Sequence, residues 1–308
     1  MRFEPKSLPQ KAALSCGADI MLFGGAAGSL KSFTLLIDAA QDIDNPNHNA
    51  ILFIRTYPEL EAALIKQSRE IYPGWGGVYN ESKRQWTFPS GAQIAFGHCQ
   101  RDSDIYNYMG AEYTYIGFDE STHFNEFPIR YMLSRLRSKD PTIKLKMRLA
   151  SNPGSEGGVW HMKIFQGSTC IHCQPTLESR EPFVIYNDAV WPSDGEPIGL
   201  TTCFIPGRVD DHSIFGIGGI RYVDKLKSLP ENYRKALLEG CWALFEGQFF
   251  RCWNAKTMIV PSNCLYRQDE NGEIYEPWEK QGRPVQAQSW WPRWVSLDWG
   301  FAHASAAY

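Results

Sequence analysis

An apolar run, Ile20 to Phe23, meets the stretch Gly24-Gly25-Ala26-Ala27-Gly28-Ser29-Leu30-Lys31-Ser32, after which the pattern turns helical. A strand, a glycine-rich turn and a helix opening with Lys-Ser is the arrangement of a phosphate-binding P-loop. Small residues let successive backbone N–H groups, here from Gly25 through Ser32, converge on phosphate oxygens, and the helix N-terminus adds positive potential. In that arrangement Lys31 reaches the β- and γ-phosphates and Ser32 holds Mg²⁺. Leu30 stands where the usual pattern has its second glycine. The substitution fits if Leu30 keeps a negative φ. A glycine-rich turn without a ligand is the plainer reading of the same residues.

Downstream, Tyr113-Thr-Tyr-Ile-Gly-Phe118 runs into Asp119-Glu120. Two acids at the end of a buried strand, after a P-loop, divide the work: Asp119 holds Mg²⁺ and Glu120 polarises the attacking water. By itself such a pair would serve equally as a helix cap. Next comes Leu149-Ala-Ser151-Asn152-Pro153-Gly154. Ser151 and Asn152 fall at the C-terminal end of a strand, where open α/β sheets bind ligands, and are positioned to sense the γ-phosphate. Asn-Pro-Gly is also ordinary turn chemistry.

These residues need a sheet to hold them. Ile20–Phe23, Ile51–Ile54, Tyr113–Phe118 and Lys144–Ala150 read as strands, and Lys31–Gln41 and Pro58–Ile71 as helices. Trp86–Phe88 and Ala92–Phe96 flank Pro-Ser-Gly and read as a hairpin. Strands alternating with helices predict an α/β fold, a mainly parallel sheet covered on both faces. After about Phe165, Pro, Gly and polar stretches become frequent, with helical signals at Tyr222–Ser228 and Glu231–Glu239. The expected division is 1–165 as a P-loop ATPase core, 166–253 as a lid and linker, and 254–308 as a connection leading into a new strand at Trp294–Leu297.

The chain has 308 residues, 43% hydrophobic and 21% charged, with a net charge of −3. Such a composition excludes a polycation, so any nucleic acid must meet a local basic patch. The richest segment is Arg135 to Arg148, six basic residues against one acidic. Its alternation (Lys144, Lys146 and Arg148 between Leu145, Met147 and Leu149) fits a half-buried strand as well as it fits DNA. Eight cysteines are scattered, and Cys170-Ile-His172-Cys173 has half the spacing of a zinc site without a second pair, so no zinc is expected. No signal peptide or membrane-length apolar run is present in the sequence, which predicts a cytosolic protein with no membrane partner.

Taken in order, the three motifs resemble the ATPase domain of the large terminase subunits of tailed bacteriophages. The likeness extends to Leu8-Pro9-Gln10, Ile51 to Leu60, Tyr108 to Tyr113, Phe204-Ile-Pro206, Leu229-Pro230, Gly240-Cys-Trp242, Gly247 to Phe250, and Val295-Ser-Leu-Asp298-Trp-Gly300. The resemblance implies an ASCE-type P-loop fold, with a lid and the opening strand of an RNase H-like nuclease. It implies ATP hydrolysis with Mg²⁺ that drives double-stranded DNA into a procapsid. It makes Gln10 the residue that reads the adenine and Asp298 the first metal ligand of the nuclease. The family's later acidic residues would lie past Tyr308, so cleavage supported by Mg²⁺ or Mn²⁺ is expected only of a fuller form. A homo-oligomeric ring, the portal protein and the small terminase subunit are the implied partners, in the cytoplasm of the infected host cell and outside the mature virion. A ring motor of this kind needs an arginine on the transferring phosphoryl group. Arg101 is the first candidate, with Arg55, Arg135 and Arg137 open. Two other readings compete: a helicase-like nucleic-acid ATPase, and a truncated fragment that binds nucleotide without hydrolysing it.

Overall fold

The computed structural model describes residues 3–166, 184–186, 199–207, 216–242, 297–299 and 305–307. The chain divides into two units, Met1–Gln248 and Phe249–Tyr308.

In the first unit the strands are β1 (Ile20–Gly25), β2 (Asn49–Ile54), β3 (Val78–Asn80), β4 (Gln85–Thr87), β5 (Gln93–His98), β6 (Tyr115–Asp119), β7 (Lys146–Ser151), β8 (Val184–Tyr186) and β9 (Thr202–Gly207). They form one nine-stranded sheet in the order β3-β4-β5-β2-β6-β7-β1-β9-β8. From β5 to β9 every neighbouring pair is parallel, and only the margins, β3-β4-β5 and β9-β8, are antiparallel. The expected hairpin is the β4–β5 pair. The helices are α1 (Leu8–Leu14), α2 (Lys31–Ala39), α3 (Tyr57–Leu60), α4 (Lys66–Ile71), α5 (Glu126–Leu133), α6 (Gly158–Gln166), α7 (Gly216–Lys227) and α8 (Glu231–Leu237). A π-helical turn, Glu61–Ile65, joins α3 to α4, so the expected helix over 58–71 is continuous but locally widened.

Both faces of the sheet are covered, and the strand residues sort by parity. Ile51 and Phe53 join Ile116, Phe118, Met147 and Leu149 against Ile129, Met132, Trp160 and Phe165. Ala50, Leu52 and Ile54 face the other way, onto Leu35, Leu36, Leu64 and Tyr72. Central parallel strands buried on both sides read as nearly continuous apolar runs, as Ile20–Phe23 does.

The same burial corrects the reading of the basic segment. β7 is a central strand, not a half-exposed one, and Arg148 lies within the covering layers at 1% exposure. Its Nε donates to Asp38 Oδ2 at 3.1 Å, and its other nitrogens donate to the carbonyls of Cys16, Ala18, Asp19 and Met147. Lys146 pairs with Asp42, Arg137 with Glu112, and Lys144 donates to the Gly17 carbonyl. Most of this charge serves the fold. Thr202–Gly207, from the stretch expected to form the lid, runs beside β1 in the sheet, with Gly24 opposite Pro206. Among the described residues no helix is long and apolar enough to cross a membrane.

In the second unit, β10 (Leu297–Trp299) pairs antiparallel with β11 (Ser305–Ala307), setting Asp298 opposite Ala306. The Cys170–Cys173 cluster, Gly247–Phe250 and the connection over 254–289 lie outside the described residues.

Candidate nucleotide-binding site

Strand order brings the motifs together. β7 lies between β1 and β6, with Gly24 opposite Ser151 and Ala150 opposite Asp119. The three chain segments that leave these strands at their C-terminal ends therefore share one crevice, where open parallel sheets bind ligands.

The loop from β1 to α2 turns through three positive φ values: Gly25 at 140°, Gly28 at 78° and Leu30 at 56°. The negative φ expected of Leu30 is not found. Leu30 precedes the first helical residue, and ψ of 31° with that φ places it in the left-handed region. Glycine adopts this conformation freely; for leucine it costs about 1–2 kcal/mol. The curvature has a use. The N–H groups of Ala26 and Ala27 are taken by the carbonyls of Gly207 (2.8 Å) and Leu237 (2.7 Å). Among the described residues, those of Gly28, Ser29, Leu30, Lys31 and Ser32 donate to no carbonyl. Successive unpaired amides with alternating φ sign, at a helix N-terminus, form an anion-binding nest. A side chain at Gly25 would overlap the Gly207 carbonyl, which fixes glycine there.

Lys31 is buried in this nest. Its Nζ donates to Ala26 O (2.7 Å), Asn152 Oδ1 (2.8 Å) and Ser29 Oγ (2.9 Å), with Gly25 O at 3.4 Å. Burial pulls its pKa down to about 8, against the opposing charges of Glu120 and Asp119. Ser32 donates to Asp119 Oδ1 at 3.0 Å. Burial, and after it the charge of Glu120, pushes Asp119 up to about 7. A buried carboxylate held away from its ionised form by these two causes is one that a cation would restore. Ser32 and Asp119 also present the oxygen donors that Mg²⁺ takes from protein when phosphates supply the rest. These residues fit the ion.

Glu120 occupies the left-handed region, at φ 47° and ψ 48°. Its carboxylate accepts from Asn152 Nδ2 at 3.3 Å and lies 3.4 Å from Ser151 Oγ. Asn152 thus touches Lys31 and Glu120 at once. Backbone strain held in place by surrounding contacts is characteristic of functional positions.

The other expected residues are less gathered. Gln10 is fully buried, donating to Thr34 Oγ1 at 3.1 Å and accepting from the Lys6 N–H. Arg101 is exposed and forms no ion pair among the described residues. Arg55 pairs with Asp102 at 3.3 Å, Arg137 with Glu112, and Arg135 lies over the Tyr131 ring. None of these arginines bonds to Asp119 or Glu120 within the chain. Asp298 belongs to the second unit. Sequence reasoning missed Ser121, Thr122, Gly157 and His161, which pack around the turn after Glu120. The signal in the sequence was Gly157-Gly158 ahead of the mostly apolar stretch Val159–Phe165, a helix start.

Residues 22–159 match the family model described as terminase large subunit, T4likevirus-type, N-terminal. No curated protein matches the chain. Among solved structures, the large terminase of a thermophilic bacteriophage in complex with ATP-gamma-S is similar at TM-score 0.56 and 14% identity, covering 86% of this chain and 62% of that one. The same phage protein in complex with ADP gives 0.55 at 15% identity, with 86% and 62% covered. The large terminase ATPase domain of Thermus phage P74-26 gives 0.51 at 11% identity, covering 78% of this chain and 94% of that one. The chain thus spans about three-fifths of the length of the thermophilic phage protein, and the likeness in fold is that of a P-loop ATPase domain. Through residues 22–159, a little under half of its length, the chain is similar to the N-terminal domain of the terminase large subunits.

Proposed function

We propose that this chain is the ATP-hydrolysing motor of a phage large terminase, which moves double-stranded DNA into a procapsid. One observation carries the reading: Lys31, Ser32, Asp119, Glu120 and Asn152 meet in a single hydrogen-bonded cluster beside five loop amides that donate to no carbonyl among the described residues. A decayed, non-hydrolysing module has no need of that set.

The amides of Gly28 to Ser32 cradle the β- and γ-phosphates, and Lys31 exchanges its loop carbonyls for phosphate oxygens. Ser32 and Asp119 would hold Mg²⁺, which would supply charge neutralisation on the phosphates. Glu120 orients a water and takes its proton as the water oxygen bonds to the γ-phosphorus, while the bond from that phosphorus to the β–γ bridging oxygen breaks and ADP leaves with phosphate as the other product. Asn152, bridging Lys31 and Glu120, senses loss of the γ-phosphate, with Ser151 beside it. Gln10 reads the adenine through the α1–α2 contact, and Arg101 stabilises phosphoryl charge in a neighbouring subunit of a homo-oligomeric ring. The expected core, residues 1–165, takes β8 and β9 into its sheet from the expected lid and linker, 166–253, and the remainder of 166–253 serves as that lid and linker. Asp298 is assigned to a nuclease metal set, which needs several carboxylates to clamp two ions. The portal protein and small terminase subunit complete the assembly, in the cytoplasm of the infected cell and outside the mature virion.

Phosphate release by the purified chain, with and without DNA, tests the reading. Mg-dependent turnover lost in Lys31→Ala is expected, and Arg101→Ala should remove only the part of the rate that rises with protein concentration. A chain that binds no Mg-ATP refutes the proposal. DNA-independent turnover with no concentration dependence would instead separate the ATPase from the ring motor.

A further inference from the structure

Glu120 is followed at once by a single 3-10 turn, Ser121–His123, and the first residues of α6 hold that turn from one side. Gly157 N–H donates to Thr122 O at 2.8 Å, and Trp160 Nε1 donates to Phe124 O at 3.1 Å. Ser121 Oγ lies 2.9 Å from His161 Nε2, and His161 Nδ1 lies 2.7 Å from Gly157 O. Ser121 and His161 are both fully buried. A side chain at Gly157 would sit 2.6 Å from the carbonyls of Phe124 and Thr122, so only glycine permits this approach.

The direction of the Ser121–His161 bond follows from the partners. A carbonyl can only accept, so Nδ1 carries the ring proton toward Gly157. Burial lowers the His161 pKa to about 3, which leaves the ring neutral and Nε2 a bare acceptor. Ser121 must therefore donate. Its hydroxyl has one proton, and that proton is committed to α6.

We propose that Ser121 and His161 are positioning residues for ATP hydrolysis: their buried hydrogen bond anchors the turn that keeps Glu120 in its left-handed conformation, facing Asn152 and the γ-phosphate side of the crevice. The pair touches no reacting atom. It acts through Glu120, whose φ of 47° a free chain would relax. The His161 ring also lies tilted beside the Trp160 ring, at 3.7 Å between centroids, and near the Trp242 ring, at 6.1 Å, and a Cβ at Gly24 would meet Trp242. The anchor therefore rests on the same side chain that packs against the strand entering the phosphate loop.

This inference rests on the ATPase reading, and the test separates the two. Steady-state hydrolysis and fluorescent-nucleotide binding are measured on the full chain carrying Ser121→Ala, Ser121→Thr, His161→Phe and His161→Gln, and on the double variant Ser121→Ala/His161→Phe. The expected result is a kcat per bound nucleotide lower by about 10-fold or more in Ser121→Ala and His161→Phe, with KM for Mg-ATP within about 2-fold of the parent. Ser121→Thr and His161→Gln, which keep a donor and an acceptor in place, should recover most of the rate. The double variant should be no slower than the worse single, because donor and acceptor leave together. A lower melting temperature with unchanged kcat per bound nucleotide would make the pair merely structural and overturn the proposal, as would a change confined to KM. A parent chain without turnover would refute the ATPase reading instead.

Discussion

Lys31→Met takes the charge out of the phosphate loop while keeping the length of the stem, and it should stabilise the nucleotide-free chain. The Lys31 pKa falls from 10.5 to about 8 on folding, chiefly through burial. At about 1.4 kcal/mol per unit, holding the ammonium inside the loop costs about 3 kcal/mol. The variant loses the four Nζ hydrogen bonds, but Ala26 O keeps Ser29 Oγ as a donor at 3.0 Å and Gly25 O was only weakly engaged at 3.4 Å. Ser29 Oγ keeps its own bond as a donor, and the net loss falls on the half-buried Asn152 Oδ1. Allowing about 1 kcal/mol for the bonds lost leaves a net gain of about 2 kcal/mol. That corresponds to a rise of about 4–8 °C in Tm for a domain of 150–250 residues. The sign with pH follows from the depressed pKa of a base. Below about 8 the folded and unfolded chains both carry the proton and the penalty is complete. As pH rises from about 8 toward 10.5 only the unfolded chain stays protonated, so the parent regains stability and its gap to the variant closes. Adding Mg-ATPγS should invert the ranking, since the parent gains about 2.7 kcal/mol at 100-fold excess over Kd and the variant gains nothing. Differential scanning fluorimetry between pH 7 and 10, with and without nucleotide, reads all of this. A variant less stable than its parent at pH 7 without nucleotide would refute the buried-ammonium reasoning.

Other substitutions address the remaining features. Glu120→Gln should bind Mg-ATP normally and slow phosphate release by about 10²–10⁴-fold, the usual contribution of a positioned base; parental turnover would leave Glu120 a cap. Leu30→Val, β-branched and unsuited to φ 56°, should weaken Mg-ATP binding about 10-fold, whereas Leu30→Gly should not. Equal affinities in a titration would show that the left-handed residue is immaterial to the nest. Arg148→Met leaves the Asp38 carboxylate buried without its cation and should cost about 3–5 kcal/mol in urea unfolding, most of it recovered in Arg148→Met/Asp38→Leu. A double variant as unstable as the single would mean that the carbonyl contacts of Arg148, not the ion pair, carry the energy.

The residues proposed to meet phosphate were readable as a group because such chemistry requires fixed spacing along the chain. Gly25 to Ser32 lie on one loop, and Asp119-Glu120 end a strand whose apolar run announces itself. What had no local signature was decided by neighbours distant in sequence. Arg148 alternates with apolar residues as an exposed strand cation would, yet helices cover both faces of β7, and Asp38 and four carbonyls receive the guanidinium. The segment Thr202–Gly207 carries a proline and sits among polar stretches, but pairing with β1 makes it sheet. Pro206 lacks an N–H to give, and β9 has the antiparallel margin strand β8 on its other side. Leu30 was read through the residue that usually stands there, and its conformation follows from the turn, not from the side chain.

The insertion of β7 between β1 and β6 is the feature from which the rest of the site follows. Were β1 and β6 adjacent, strands about 5 Å apart would press Lys31 and Ser32 directly onto Asp119 and Glu120. One intervening strand doubles that spacing, which opens room for phosphates and an ion; Ser32 still reaches Asp119 across it, and residues at the end of β7 stand between the lysine and the second acid. Ser151 and Asn152 are those residues. Asn152 meets Lys31 through its oxygen and Glu120 through its nitrogen, so the amide can satisfy both only in one orientation. Phosphate that draws Lys31 away frees Asn152 Oδ1, while Glu120 still holds Nδ2. In the proposed mechanism the side chain that registers occupancy of the loop is thereby the one that touches the hydrolytic carboxylate, and strand order brings it there.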